Sequence, residues 1–260
     1  MQNYPGFRLG FLGAGRLGEA LAKVWFRRTG DVPLVWSRSG ASPNGVSRIP
    51  DAVWLDDWTK VLQARSIIIA VPGKPFLDLA EGNEQAQAYE GFVFSAAASL
   101  SHASLQRVFP RATVLCISPF LIDGTNSIPT LVLRSSSEQW ESAMTELLSL
   151  GDIDVIDDEK VFAQVSLLGA AWPVIVVAAI QAACSIGTNG IDDERALNLG
   201  RQLFLRGTRN LLSNSTHDSA GHVATPGGIT ERGLNHLDDL TRIFDSAFTA
   251  MRTRGKELSL

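Results

Sequence analysis

Cysteine is nearly missing from this chain, with two residues, Cys116 and Cys184, among 260. Both sit in apolar surroundings, far apart in sequence, and neither has a histidine at metal-ligand spacing. That argues against a disulfide framework and against a cysteine-based metal centre, and predicts reduced thiols in the core. An excess of positive charge is missing too. Lys and Arg total 23 against 27 for Asp and Glu, and no basic run stands out. A nucleic-acid partner is therefore not expected. The first residues, MQNYPGFRLGFLGAG, lack a secretory leader pattern, so the expected compartment is the cytoplasm. Long apolar runs are scarce, with one exception. VSLLGAAWPVIVVAAIQAACSIG, Val165–Gly187, is almost free of charge, but Pro173 and Gln181 interrupt it and no basic flank follows. It reads as a helix buried on all sides, a place between subunits included, and not as a membrane span.

What is present suits one or two globular domains with real cores, since 45% of the residues are hydrophobic. The first half alternates short apolar runs with helical patterns. The runs are FRLGFLG, VPLVWS, SIIIAVP, GFVFSAA, ATVLCIS, PTLVLRS and, last, DIDVIDDE. Most lack polar alternation, as strands covered on both faces do. The helical patterns between them are RLGEALAKVWFRR, WLDDWTKVLQ, PFLDLAEGNEQAQAY and HASLQRVFP. This is the rhythm of a doubly wound parallel sheet. From Glu159 onward only helical patterns appear. The expected organisation is an α/β domain of the Rossmann type over residues 1–157 and an all-α domain over 158–260.

The stretch GFLGAGRLGEAL places Gly13, Gly15 and Gly18 in a G-x-G-x-x-G spacing between a strand and a helix. Gly13 allows the tight turn. Gly15 lets backbone approach a pyrophosphate, which the helix start then stabilises. Gly18 lets helix and strand pack closely. The cofactor-binding segment is thus expected to run through Gly13, Ala14, Gly15, Arg16, Leu17 and Gly18. The second strand ends in Ser37, Arg38 and Ser39, where an NAD site usually has a carboxylate. Arg38 can pair with a 2′-phosphate and both hydroxyls can donate to it, which favours NADPH. The alternative is a solvated arginine in a loop. Further on, Ala70, Val71 and Pro72 end another strand and could wall the cofactor rings; Lys74 either approaches a phosphate or is solvated. Ala96, Ala97, Ser118 and Pro119 end the next two strands on the same edge, as pocket floor or as packing.

Near the other end lies VATPGGITERGL, Val223–Leu234. Thr225 can cap a helix and Pro226 fits its first turn. Gly227 and Gly228 then leave the first backbone N–H groups bare, as a helix start that holds an anion would. The carboxylate of a small amino-acid-like substrate would satisfy them; close crossing of two helices is the alternative.

The glycine fingerprint, the Ser-Arg-Ser, the Ala-Val-Pro and this tail occur in one order that resembles the pyrroline-5-carboxylate reductase family over nearly the whole chain. The family's tail signature is similar to Thr225, Pro226, Gly227, Gly228, Ile229, Thr230, Glu231, Arg232, Gly233 and Leu234, and GKEL follows as it does there. The resemblance implies that Gly227, Gly228, Ile229 and Thr230 bind substrate, with Thr230 hydrogen-bonding its ring. It also implies that the helical domain dimerises, and that the site forms between one subunit's cofactor and the other's tail. Three motifs depart from the family pattern. Ser99 stands for a glycine, Phe120 for an asparagine, and Leu168, Gly169, Ala170 and Ala171 for Ser-Gly-Pro-Ala.

The expected activity is NADPH-dependent reduction of a small cyclic imine carboxylate, with 1-pyrroline-5-carboxylate to L-proline, a step of proline biosynthesis, as first assignment. The proton comes from water or from Thr230, the residue assigned to catalysis. His102, His217, His222 and His236 are read as structural or solvated. Reduction of a different imine or oxo acid on the same scaffold, and a non-catalytic NADPH-binding protein, stay open as alternatives. The expected partners are a small molecule and at least one further copy of the chain, with no metal and no membrane.

Overall fold

Four runs in the first half are apolar on both faces, and each forms a strand with every residue buried. The computed structural model describes residues 8–40, 49, 52–120, 126–167, 169, 194, 198, 202 and 236–258. Two compact units divide the chain, Met1–Ser166 with Arg254–Leu260, and Leu167–Thr253.

In the first unit the strands are β1 (Leu9–Leu12), β2 (Leu34–Trp36), β3 (Val53–Leu55), β4 (Ser66–Ile69), β5 (Phe92–Ser95), β6 (Thr113–Pro119), β7 (Thr130–Leu133) and β8 (Ile153–Ile156). They form one sheet in the order β3-β2-β1-β4-β5-β6-β7-β8. The first six are parallel. The chain winds outward from β1 to β3, returns to the centre at β4, and winds the other way to β6. The order therefore reverses between β1 and β4, where doubly wound sheets open a ligand crevice. The last two strands run the other way: β7 is antiparallel to β6, and β8 is parallel to β7. A parallel return needs a crossover of a dozen or more residues. The link from Pro119 to Thr130 is shorter, so the chain turns back on itself.

Side chains of alternate strand residues feed two cores. Leu12, Leu34, Ile67, Ile69 and Val93 face one side, with Phe76, Leu105 and Phe109. Phe11, Val35, Ile68, Phe92 and Phe94 face the other, with Leu21, Trp25 and Leu147. The second face is covered by α1 (Arg16–Thr29) and α5 (Trp140–Leu147), the first by α2 (Gly73–Ala80), α3 (Glu84–Ala88) and α4 (His102–Val108). Burying each such large side chain is worth about 1.5–3 kcal/mol.

The pattern WLDDWTKVLQ departs from the expected helix. Its first residues join β3, and Trp58–Gln63 form a 3-10 helix. Trp58 and Val61, three apart, fall on one side of a three-residue turn and are both buried. Asp57 caps that turn by accepting from the Thr59 N–H at 2.9 Å. The pattern PFLDLAEGNEQAQAY is split into α2 and α3. Gly82 sits at φ +77°, and Asn83 starts α3 by accepting from the Ala86 N–H at 3.0 Å.

Leu237–Leu258 is one helix, with residues up to Thr253 in the second unit and those from Arg254 grouped with the first. Its first turn carries Asp238 and Asp239, which suit the positive end of the helix dipole. Among the described residues, no helix is long and apolar enough to cross a membrane. Most of Val165–Gly187 lies outside the described residues.

Candidate dinucleotide site

The carboxyl ends of β1, β2, β4 and β5 are tied side by side by backbone hydrogen bonds. The Gly13 N–H donates to Trp36 O at 2.8 Å, the Ala70 N–H to Leu12 O at 2.8 Å, and the Ala96 N–H to Ile69 O at 2.9 Å. Three of the loops predicted to touch a cofactor are thereby fixed to the strands that flank the reversal of strand order.

The glycines of the first loop have separate physical roles. Gly13 adopts φ +110°, and a β-carbon there would lie 2.7 Å from Val71 Cγ1 and 2.8 Å from Ala70 O. Only a bare backbone fits that turn. A β-carbon on Gly18 would lie 2.0 Å from Gly13 O. Gly15 differs, because nothing stands within 4 Å of where its β-carbon would be. It is exposed, and it precedes α1 with no side chain capping the helix start. The first intrahelical bond is donated by Glu19 to Gly15 O at 2.9 Å, so the N–H groups of Arg16, Leu17 and Gly18 precede the hydrogen-bonded ladder. Open space above Gly15 and uncapped donors behind it are an arrangement that could hold an anion such as a pyrophosphate. Ala14 is buried, Arg16 is exposed and Leu17 is half-buried beside the α1 core.

After β2 the chain turns at Ser37–Gly40, where the Gly40 N–H donates to Ser37 O at 2.9 Å. The hydroxyls of Ser37 and Ser39 lie 3.2 Å apart, and the Arg38 side chain between them is exposed. Three donors thus gather on one short turn beside the glycine loop.

Ala70 and Val71 are half-buried against Gly13, and Pro72 is exposed as the residue before α2. Lys74 is exposed on that helix. Ala97 is half-buried; its N–H donates to Ser95 Oγ at 3.4 Å, and its carbonyl accepts from Leu100 at 3.0 Å. Ser118 and Pro119 lie where β6 runs past the end of β5 and pairs with Leu131 and Thr130 of β7. The Phe120 N–H donates to Pro129 O at 2.8 Å.

One contact was not foreseen in the sequence. The Gly73 N–H, first in α2, donates to Ser99 Oγ at 3.2 Å from across the crevice loops. Nothing in the spacing of two residues 26 apart announces such a bond.

Cys116 is buried on β6, and its thiol is pushed up to about 11, first by burial and then by the Glu159 carboxylate. It is held protonated, as a core thiol rather than a nucleophile. His236 is exposed, 3.8 Å from Asp239. Gly227, Gly228, Ile229 and Thr230 lie outside the described residues, as do His217, His222 and Cys184.

Residues 159–258 match the family described as pyrroline-5-carboxylate reductase dimerisation. No curated protein matches the sequence. Several solved structures share the fold. Pyrroline carboxylate reductase from Plasmodium falciparum, solved with NADP bound, is 16% identical with a TM-score of 0.79, covering 98% of this chain and 99% of that one. 1-Pyrroline-5-carboxylate reductase from Streptococcus pyogenes is 22% identical, also at 0.79, covering 96% and 98%. An imine reductase from Myxococcus stipitatus in complex with NADP+ is 16% identical at 0.54, covering 96% and 94%. Residues 159–258 thus match the pyrroline-5-carboxylate reductase dimerisation family, and the chain as a whole shares the fold of the solved pyrroline-5-carboxylate reductases.

Proposed function

We propose that this protein reduces a small cyclic imine carboxylate with NADPH, and that 1-pyrroline-5-carboxylate, reduced to L-proline, is its substrate. The observation that carries the cofactor half is the uncapped α1 start behind Gly15, beside the Ser37–Ser39 turn with its exposed arginine. The first donors of α1 bind the pyrophosphate, and Arg38 with the two serine hydroxyls binds a 2′-phosphate. Ala70, Val71, Pro72 and Ala97 bound the crevice toward the rings. The reduced nicotinamide, when bound, supplies the hydride that the imine carbon accepts.

The substrate half rests on the tail. Gly227 and Gly228 leave backbone donors bare for the substrate carboxylate, Ile229 lines the same segment, and Thr230 hydrogen-bonds the ring, with water or Thr230 as the source of the proton. The domain from 158 to 260 binds substrate and joins two or more copies of the chain, in keeping with the dimerisation family that it matches. The protein works in the cytoplasm, in proline biosynthesis, on small molecules rather than nucleic acid or membrane.

A second reading has its own support. Ser99 and Phe120 replace the glycine and asparagine of the reductase pattern, and an imine reductase shares the fold. On that reading the scaffold and cofactor stay, and the substrate is a different imine. A panel of cyclic imines with and without a carboxylate, followed by NADPH absorbance, separates the two. A preference for 1-pyrroline-5-carboxylate supports the first; faster turnover of an imine lacking the acid overturns it. Binding of NADPH without turnover of any imine would leave a nucleotide-binding protein.

A further inference from the structure

We infer that Ser99 is a positioning residue of the dinucleotide crevice, a clamp that holds the loop after β4 against the loop after β5. The inference rests on the proposed NADPH-dependent function for its consequence, and on geometry for the clamp itself.

An eight-residue helix starting after a proline has a donor problem. Pro72 precedes α2 and offers no side-chain hydrogen bond to it, and Pro75 has no N–H. The Phe76 N–H is satisfied by Pro72 O at 3.2 Å. Gly73 is buried, so its own N–H would be costly to leave unmet. Ser99 meets it from another loop, accepting at 3.2 Å. A turn presents the hydroxyl, closed by the Leu100 N–H donating to Ala97 O at 3.0 Å. Steric fit completes the pair. A β-carbon on Gly73 would lie 2.3 Å from Ser99 Oγ and 2.9 Å from Leu100 Cγ and Cδ2. Serine at 99 and glycine at 73 therefore depend on each other.

The clamp spans the crevice wall. Ala70, Val71 and Pro72 lead into Gly73, and Ala96 and Ala97 lead into Ser99. Val71 and Ala70 in turn back Gly13. One hydroxyl thus fixes both walls that flank the cofactor rings, with the glycine loop behind them. Ser99 needs no contact with the cofactor for this role.

The test compares wild type with S99A, S99T, G73A and S99A/G73A. In S99A the KM for NADPH is expected to rise about five- to tenfold, the scale of one lost hydrogen bond to a buried donor, with kcat nearly unchanged. S99T retains the hydroxyl and should keep the wild-type KM. G73A should cost less in the S99A background than alone, because the nearest clashing atom has gone. Unchanged KM in S99A, S99T behaving like S99A, or strictly additive effects of S99A and G73A would each overturn the inference. Amide exchange reads the clamp without any nucleotide. Exchange should quicken in S99A at the amides of Gly73, Lys74 and Phe76 and of residues 97–100 together, and unchanged exchange there overturns the clamp whatever the kinetics. Wild-type protein that binds no NADPH counts against the proposed function and the cofactor role of Ser99, and leaves the exchange result to decide the clamp.

Discussion

Gly18 packs so closely on Gly13 that a β-carbon at position 18 would sit 2.0 Å from the Gly13 carbonyl oxygen. Helix α1 therefore starts against its own strand with no room for a methyl group. G18A should lower stability by about 1–3 kcal/mol, because backbone and not a flexible side chain must move. G15A should behave differently. Its methyl group meets open space, so the melting temperature should hold while NADPH affinity falls. Thermal melts and nucleotide titration of the two variants check this. Equal stability losses would contradict the separate roles assigned to the two glycines.

Arg38 carries the predicted preference for the phosphorylated cofactor. Charge-assisted hydrogen bonds contribute about 1.5–3 kcal/mol, so R38A should reduce the preference for NADPH over NADH by at least about tenfold. R38D should go further, since a carboxylate repels a 2′-phosphate and binds ribose hydroxyls. The check is the ratio of kcat/KM for the two cofactors. An unchanged ratio would make Arg38 a solvated loop residue.

Alkaline pH should destabilise the fold. Burial raises the Cys116 thiol to about 11 and lifts the Tyr89 hydroxyl above its ordinary value. Tyr89 donates to Ala64 O and Arg65 O in the folded chain, at 3.0 and 2.9 Å. Both groups stay neutral when folded and ionise more readily when unfolded. Their contribution is full below the ordinary thiol range and is lost as pH climbs through the folded values. Urea midpoints should hold from neutrality to about pH 8 and fall above about pH 9. Peptide-resolved alkylation at pH 8 should leave Cys116 unmodified until denaturant is added.

At the amino ends of β1 and β4, Glu146 on α5 is 5% exposed between Arg8 at 3.1 Å and Arg65 at 3.5 Å. The two guanidinium groups also lie over Trp25 and Phe92, each 5.5 Å from the ring centroid. Both arginines are about half exposed, which screens part of the attraction. E146A should cost about 1.5–3 kcal/mol, the range for hydrogen bonds to a charged group, and leave cofactor affinity unchanged. Denaturant titration beside nucleotide titration checks both halves.

The legible parts of this molecule were those with a strong local pattern. Runs such as SIIIAVP reveal a doubly covered strand because every residue after the serine is apolar, and GFLGAG reveals the turn because only glycine fits there. The pattern over residues 54–63 suggests a helix that does not form, because Trp58 and Val61 satisfy a three-residue turn as well as an α-helical face. The reversal of β7 was not legible either, since apolar content does not encode strand direction. The bond between Gly73 and Ser99 depends on how two loops meet, which neither loop records alone.

The proposed activity is NADPH-dependent reduction of an imine that bears a carboxylate. The most direct measurement mixes the purified protein with NADPH and 1-pyrroline-5-carboxylate and follows the absorbance of the reduced cofactor. The account predicts rapid oxidation, much slower with NADH, and largely lost in T230A. Bound NADPH that stays reduced in the presence of this substrate would contradict it.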